Sequence, residues 1–348
     1  MKKRISSLAL ALLLAMSLTP SAAASSVYSD VPDTHWAAEN IDRATQLGLF
    51  QGVGNNEFGL GRPISRAEFV TVLGRLFDWE PASPQRASYT DVSPSGWYYA
   101  AVETARANDA VDNAYPTFRP DEGITRGEMA SMLVRSLGYT YLAGAAADYD
   151  CPFPDAVANR GYITVAYDLG LMGGEESGRF NPDDTATREQ AATVLVRLYD
   201  QLAASSSRLT TTRGYLPLTV ASPDPQPDTE LPITPLEPLT ELYAGLRQMK
   251  AGGTDMDRVV LRLTAGGIRT ITSGETIVGS DPLSAKEVEE LLARKDVTTS
   301  YSDQYESAYC FYHPNEYQTA TVWYQSEKSQ TAKLQLARLF GVTKYVLE

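Results

Sequence analysis

The chain is expected to fold as two unlike halves: a mainly α N-terminal half, made of three helix-loop-helix repeats in a pseudo-threefold bundle, and a small α+β C-terminal domain. Three observations carry that expectation. One layout recurs three times, with a period near 60 residues, between residues 28 and 202. Apolar residues inside each copy fall at helical spacing. Beyond residue 238, helical stretches alternate with short runs of β-forming residues.

The first copy (28–80) reads Tyr28, Asp30, Val31, then His35, Trp36, Ala37, then Leu47, Gly48, Leu49, then Phe58, and finally Ile64 through Phe69. The second (89–140) answers with Tyr89, Asp91, Val92, then Gly96, Trp97, Tyr98, then Phe118 and Ile124 through Met129. The third (149–202) is looser, with Phe153, Asp155, Leu169, Gly170, Leu171, Phe180 and Ala186 through Gln190. Arg66, Arg126 and Arg188 occupy one position, 60 and 62 residues apart.

In the second helix of each copy, Phe69/Val72/Leu73/Leu76, Met129/Met132/Leu133/Leu137 and Ala191/Val194/Leu195/Leu198 form one apolar stripe. The first helices carry Ile41/Ala44, Val102/Ala105 and Ile163/Ala166, and Gly48 and Gly170 stand where such a helix would end. A two-helix unit with one stripe cannot bury it alone, so the three copies should share an axis.

Ser65 to Glu68, Thr125 to Glu128 and Thr187 to Gln190 each fit the capping box, in which the hydroxyl accepts from the N3 amide and the N3 side chain reaches back. Capping therefore explains Ser65, Thr125 and Thr187 without any ligand. The arginines are different. A cation in the first turn opposes the helix dipole at a cost of up to about 1 kcal/mol, whereas a helix N-terminus beside a guanidinium fork is a good seat for a carboxylate. Trp36 and Trp97 fit either stacking on a ligand or anchoring a core. Asp30, Asp91 and Asp155 fit either capping their own unit or touching a ligand.

Taken together, residues 28 to about 200 resemble three S-layer homology domains, whose marks are an aromatic-x-Asp opening, a Trp, a glycine-bearing helix end and a Thr-Arg-Ala-Glu signature. That resemblance implies a pseudo-threefold spindle binding secondary cell-wall polymer, often pyruvylated, in grooves between repeats. The implied contacts are Arg66, Arg126 and Arg188, with Trp36, Trp97, Asp30, Gly48, Ser65, Thr125 and Thr187 as further candidates. The sequence departs from the pattern at Asp109, which replaces the helix-end glycine. It departs again in the third copy, which lacks the Trp, offers Tyr162 as the nearest aromatic and ends its signature in Gln190. Unequal grooves follow, with the one using Arg66 ranked first.

Bulk properties agree with an exported wall protein. Lys2, Lys3 and Arg4, the apolar run Leu8 to Leu18 and the small residues Ser21 to Ala24 read as a signal peptide over 1–24. No other stretch approaches the roughly 20 apolar residues that span a bilayer. The formal charge is −13, so nucleic acid is not an expected partner, and Cys151 and Cys310 give no disulfide framework. Neither a cofactor nor a metal is expected, because no G-x-S-x-G, H-E-x-x-H, phosphate-loop or Cys-rich pattern occurs.

Residues 203–238, rich in Ser, Thr and Pro, read as an extended linker to a domain over 239–348. Within that domain the aromatic run from Tyr301 to Tyr324 suits either a sheet with one face on the core or a carbohydrate or peptide platform. Asp303, Glu306 and Glu316 are the carboxylates that a glycosidase reading would need. The expected function is non-covalent anchoring at the bacterial cell surface through an anionic, peptidoglycan-linked wall glycan, with the C-terminal domain displayed. The alternative is a wall-attached hydrolase with that domain as its catalytic unit.

Overall fold

The computed structural model describes residues 27–208, 210–211 and 229–347; the expected signal peptide and most of the expected linker lie outside them. Each repeat opens with a nine-residue helix, namely α1 (Ala38–Gln46), α3 (Tyr99–Ala107) and α6 (Arg160–Asp168). The second helices are α2 (Arg66–Leu76), α4 (Arg126–Ser136) and α7 (Arg188–Arg208). A further helix, α5 (Thr140–Ala146), precedes the third repeat and lies against α6. That approach requires Gly161, where a Cβ would stand 1.8 Å from the Ala143 carbonyl oxygen.

The apolar stripes expected from the sequence are the buried ones: Phe69, Leu73, Met129, Leu133, Ala191 and Leu195 are fully or almost fully inaccessible. They meet around an axis closed by backbone hydrogen bonds. The Ile64 amide donates to Ala186 O (3.1 Å), Ala186 to Ile124 O (2.9 Å) and Ile124 to Ile64 O (3.0 Å). Helices pack round this ring in sequence, α2 on α3, α4 on α6 and α7 on α1. The third repeat thus returns to the first.

Gly48 and Gly170 end α1 and α6 in the left-handed region, with φ of 70° and 71°, and Asp109 holds φ 54° at the same place after α3. In all three the chain closes the helix with a bond from the next amide, Leu49, Ala110 or Leu171, back to the carbonyl five residues earlier. Gly48 is therefore a helix terminator, and a Cβ there would meet nothing within 4 Å.

The C-terminal half contains two sheets. A short strand β1 (Thr210–Thr211), then β2 (Thr229–Ile233), β3 (Val259–Leu263) and, at the chain's end, β9 (Lys344–Leu347) form a parallel sheet in the order β1-β9-β3-β2. Helix α8 (Leu239–Ala251) joins β2 to β3. Between β3 and the last helix, α10 (Glu327–Leu339), lie β4 (Gly267–Ser273), β5 (Thr276–Leu283), β6 (Thr298–Ser302), β7 (Ser307–Asn315) and β8 (Gln318–Tyr324). They build an antiparallel sheet ordered β5-β4-β8-β7-β6, with α9 (Ala285–Leu292) on one face.

Two boundaries differ from expectation. The proposed linker of 203–238 contains the end of α7 and all of β2, whose Pro232 is tolerated because β2 is an edge strand. Nor does the C-terminal half stand apart from the repeats. The Tyr243 hydroxyl and Arg247 Nε (2.8 Å) both donate to the Asp168 carboxylate, Lys250 Nζ reaches Asp168 O (2.9 Å), and Tyr243 stacks on Tyr149 at 6.0 Å. Tyr243 is fully buried, and one apolar core runs from the repeats through α8 to α10.

Candidate functional site

The recurring arginines form a second ring outside the first. Arg66 Nε donates to Phe118 O of the second repeat (2.7 Å), Arg126 Nε to Phe180 O of the third (2.8 Å), and Arg188 Nε to Phe58 O of the first (3.0 Å). Each guanidinium lies over the ring of the phenylalanine it bonds, 4.8 to 5.0 Å from the centroid. Arg126 adds a bond to Gly173 O and Arg188 one to Gln51 O. Burial pulls all three guanidinium pKa values down from the usual range. The cost of a cation in the first turn is offset here by joining consecutive repeats.

At α2 and α4 the first-turn amides are already bonded within the protein, so these two helix starts do not offer the expected anion seat. The first two amides of α2 donate to Glu122 O and Pro120 O, and those of α4 to Asp184 O and Pro182 O, all on the neighbouring repeat. The third amides donate to Ser65 Oγ and Thr125 Oγ1, completing capping boxes with Glu68 and Glu128. In the third repeat Gln190 Oε1 accepts from the Thr187 amide, but Thr187 Oγ1 is buried without a partner. Glu189 instead accepts from the Gly61 amide of the first repeat (3.0 Å).

Asp30 is likewise structural. Its carboxylate accepts from the amides of Phe58, Gly59 and Leu60 at 2.7 to 2.9 Å, and Asp91 and Asp155 make the equivalent bonds to the turns at Phe118 and Phe180. Burial pushes the Asp30 carboxyl upward, but the three amides outweigh it and hold it below the usual range. Each aspartate thus caps a turn more than 20 residues downstream rather than its own first helix.

What remains open to solvent is a set of grooves, each assembled from all three repeats. One, of about 290 Å³, is lined by Arg188, the loop from Phe50 to Val53, Arg62, Glu68, Thr71 and Arg75, with Trp97 on its rim. The equivalent groove, about 340 Å³, holds Arg66, Tyr115, Arg119, Glu128, Asp112 and Asn159. Both are of a size for one or two sugar-sized groups. Their charge differs. The first has three arginines against one carboxylate, the second two of each. In the second, Glu128 is paired with Arg66 at 2.9 Å and with Arg119, which hold its carboxyl below the usual range against the effect of burial. In the first, Arg62 Nη2 pairs with Glu68 at 2.6 Å, and Arg188 Nη1 meets the same carboxylate only at 3.8 Å.

Trp36 and Trp97 are 60% and 65% exposed, so neither anchors a core. Both sit two residues before the first helix of their repeat; Ala158 is the third counterpart, before α6. Sequence reasoning passed over Arg75, Arg135 and Arg197, nine residues after each ring arginine. Arg75 and Arg197 donate to Leu49 O and Leu171 O of their own repeats (2.8 and 3.4 Å), and their regular recurrence was the available signal.

In the C-terminal half Glu306 and Glu316 lie at opposite ends of β7, roughly 30 Å apart at about 3.3 Å per residue. Glu306 accepts from the Tyr301 hydroxyl at 2.6 Å, and burial raises its pKa. Cys310 is buried and His313 exposed. Among the described residues no group of His, Cys, Asp and Glu is arranged to hold a metal, and no helix is long and apolar enough to cross a membrane.

Comparison with known proteins matches residues 27–70, 88–130 and 152–192 to the S-layer homology domain. The chain is 34% identical over 145 residues to the surface layer protein of Brevibacillus choshinensis, covering 40% of this chain and 13% of that protein. It is 26% identical over 212 residues to an S-layer protein of Bacillus thuringiensis subsp. finitimus, covering 60% and 26%. With exoglucanase XynX of Acetivibrio thermocellus the identity is 25% over 180 residues, covering 50% and 16%. The chain thus spans about a quarter or less of the length of these relatives.

Proposed function

Since the chain carries three S-layer homology domains, we propose that it is an exported protein held at the bacterial cell surface by non-covalent binding of an anionic wall glycan, in the groove formed by Arg188, Arg62, Arg75 and Trp97. The excess of arginine in that groove carries the proposal, because the chain as a whole is acidic and an anion must be captured by local charge. Arg188, already fixed by Phe58 O and Gln51 O, lines the cavity, and its Nη1 has only a long pairing to Glu68. A carboxylate such as that of a pyruvyl ketal suits the excess charge of Arg188, Arg62 and Arg75, of which Glu68 neutralises one, while Trp97 offers a sugar an exposed apolar face.

This reading moves the principal site from the Arg66 groove to the Arg188 groove. In the former, the carboxylates of Glu128 and Asp112 already balance the guanidinium charge, and no Trp borders it. The Arg126 surface keeps Trp36 by the symmetry of the ring and ranks between the two. The C-terminal half, docked through Asp168, is carried as a body fixed to the anchor rather than on a tether.

Sedimentation of the full chain with purified native walls, and with walls stripped of their glycan polymer, tests the proposal. Binding should require the polymer, and Trp97→Ala and Arg62→Ala should each weaken it at least tenfold with unchanged melting. Tyr115→Ala in the Arg66 groove should leave it within twofold. Equal binding to stripped walls, or indifference to both Trp97→Ala and Arg62→Ala, would refute the assignment.

A further inference from the structure

The aromatic run of the C-terminal half divides by strand alternation between two faces. Cys310, Tyr312, Ala320 and Val322 point to α9 and are buried. The alternate residues point away, and two rows of them cross the three central strands. Ile268, Trp323 and Tyr309 stand in register in one row, Thr270, Thr321 and Phe311 in the next. None of these six is buried. Tyr309 and Tyr305 lie 4.8 and 5.0 Å from the Trp323 ring, so the aromatics form one continuous surface.

Charge distinguishes this surface from the rest of the molecule. Asp, Glu, Lys and Arg make up 21% of the chain, yet the outward residues of these three strands from Ile268 to Thr272, Tyr309 to Phe311 and Thr319 to Trp323 include none. The outward residues of the flanking strands paired with these rows are Ser, Thr and Pro. An antiparallel sheet with one face on its core ordinarily carries polar and charged residues on the other. Here the solvent face combines aromatic rings with hydroxyls and excludes ions. An anionic ligand finds no counter-charge on it, and a purely apolar ligand would strand the hydroxyls of Thr270 and Thr321 without water. An uncharged polyhydroxylated chain satisfies both, with C–H faces on Trp323, Tyr309 and Phe311 and hydroxyls toward the threonines.

We infer that the outer face of this sheet binds an uncharged polysaccharide strand, as a second glycan site distinct from the arginine grooves. The whole chain, run in native gels containing hydroxyethylcellulose, dextran or polygalacturonate, tests this. At least one of the two neutral polymers should retard it, equally at 0.05 and 0.5 M NaCl, and the anionic polymer should not. Trp323→Ala should weaken retardation at least tenfold. Should that variant melt early, Thr321→Lys places a charge on the same face without removing an aromatic, and should do the same.

Both variants should sediment with native walls as the parent does, and Trp97→Ala should keep its neutral-polymer retardation, so the two sites fail independently. No retardation by either neutral polymer overturns the inference, as does retardation unchanged in both face variants. Concentration-dependent dimerisation abolished by Thr321→Lys would assign the face to a second copy of the chain and overturn it equally.

Discussion

Arg188 of the third repeat donates to the carbonyl of Phe58 in the first, 130 positions earlier, at 3.0 Å, and thereby closes a ring that Arg66 and Arg126 begin. The same side chain lines the more basic groove. Stability and the proposed binding therefore meet in one residue. Arg188→Ala should lower the stability of the repeats by roughly 2–4 kcal/mol, through lost charged hydrogen bonds and two unpaired carbonyls, and should also abolish wall sedimentation. Trp97→Ala, exposed, should change stability by no more than about 0.5 kcal/mol. Thermal melts run beside the wall assay separate the two effects.

Asp30 gives the repeats an acid limit. Its folded pKa is depressed, so its contribution is present above the unfolded value of about 3.9 and is lost as pH falls through the folded one. Asp30→Asn should cost roughly 2–3 kcal/mol at pH 7, and the gap from the parent should narrow below about pH 4. Urea midpoints at pH 7 and pH 3 measure this.

At the end of α3, Asp109 occupies the left-handed conformation that Gly48 and Gly170 take in the sister repeats. Asp109→Gly should stabilise by about 0.5–1 kcal/mol, and Gly48→Ala should cost a similar amount. Melting temperatures moving the other way would refute the equivalence.

Lys333 on α10 is fully buried, with Nζ donating to Ser307 Oγ (2.9 Å) and Thr234 O (3.3 Å), and burial lowers its pKa to about 8. The unfolded chain holds that proton up to about pH 10.4. Between these values the unfolded state binds more protons, so stability rises with pH from about 8 to about 10. Lys333→Met should flatten this slope and raise stability at pH 7, by at most roughly 3 kcal/mol. A slope unchanged in the variant would place the titration elsewhere.

Asp168 binds Tyr243 and Arg247 across the junction of the two halves. The parent chain should unfold in one calorimetric transition. Asp168→Ala, leaving both donors without that acceptor, should split it into two or shift the C-terminal signal downward by several degrees.

The three repeats were legible because one layout recurred in register, and the buried stripes at Phe69, Met129 and Ala191 are those that helical spacing marked. The arginine stood out by its position against the helix dipole and was expected to contact a ligand. Its partners, however, are carbonyls 52, 54 and 130 residues away, which no local pattern reveals. Asp30 caps a turn of its own unit, one of the two readings the sequence allowed, but that turn lies 28 residues on, where no local pattern points. Strand β2 was hidden by composition: with Pro232 as its fourth residue it resembles the linker before it, and it becomes a strand by pairing with β3. Alternation along β7 and β8 was visible in the aromatic run, but which face α9 would cover was not.

The backbone ring through Ile64, Ala186 and Ile124 also limits how such an anchor can be strengthened. Open stacks of repeats grow by adding units at an end, whereas a ring in which the third unit bonds the first has no end to extend. A fourth copy could not be inserted without breaking the closure. Tighter attachment must come from sharpening individual grooves or from joining whole three-repeat assemblies, whose combined hold multiplies through effective concentration.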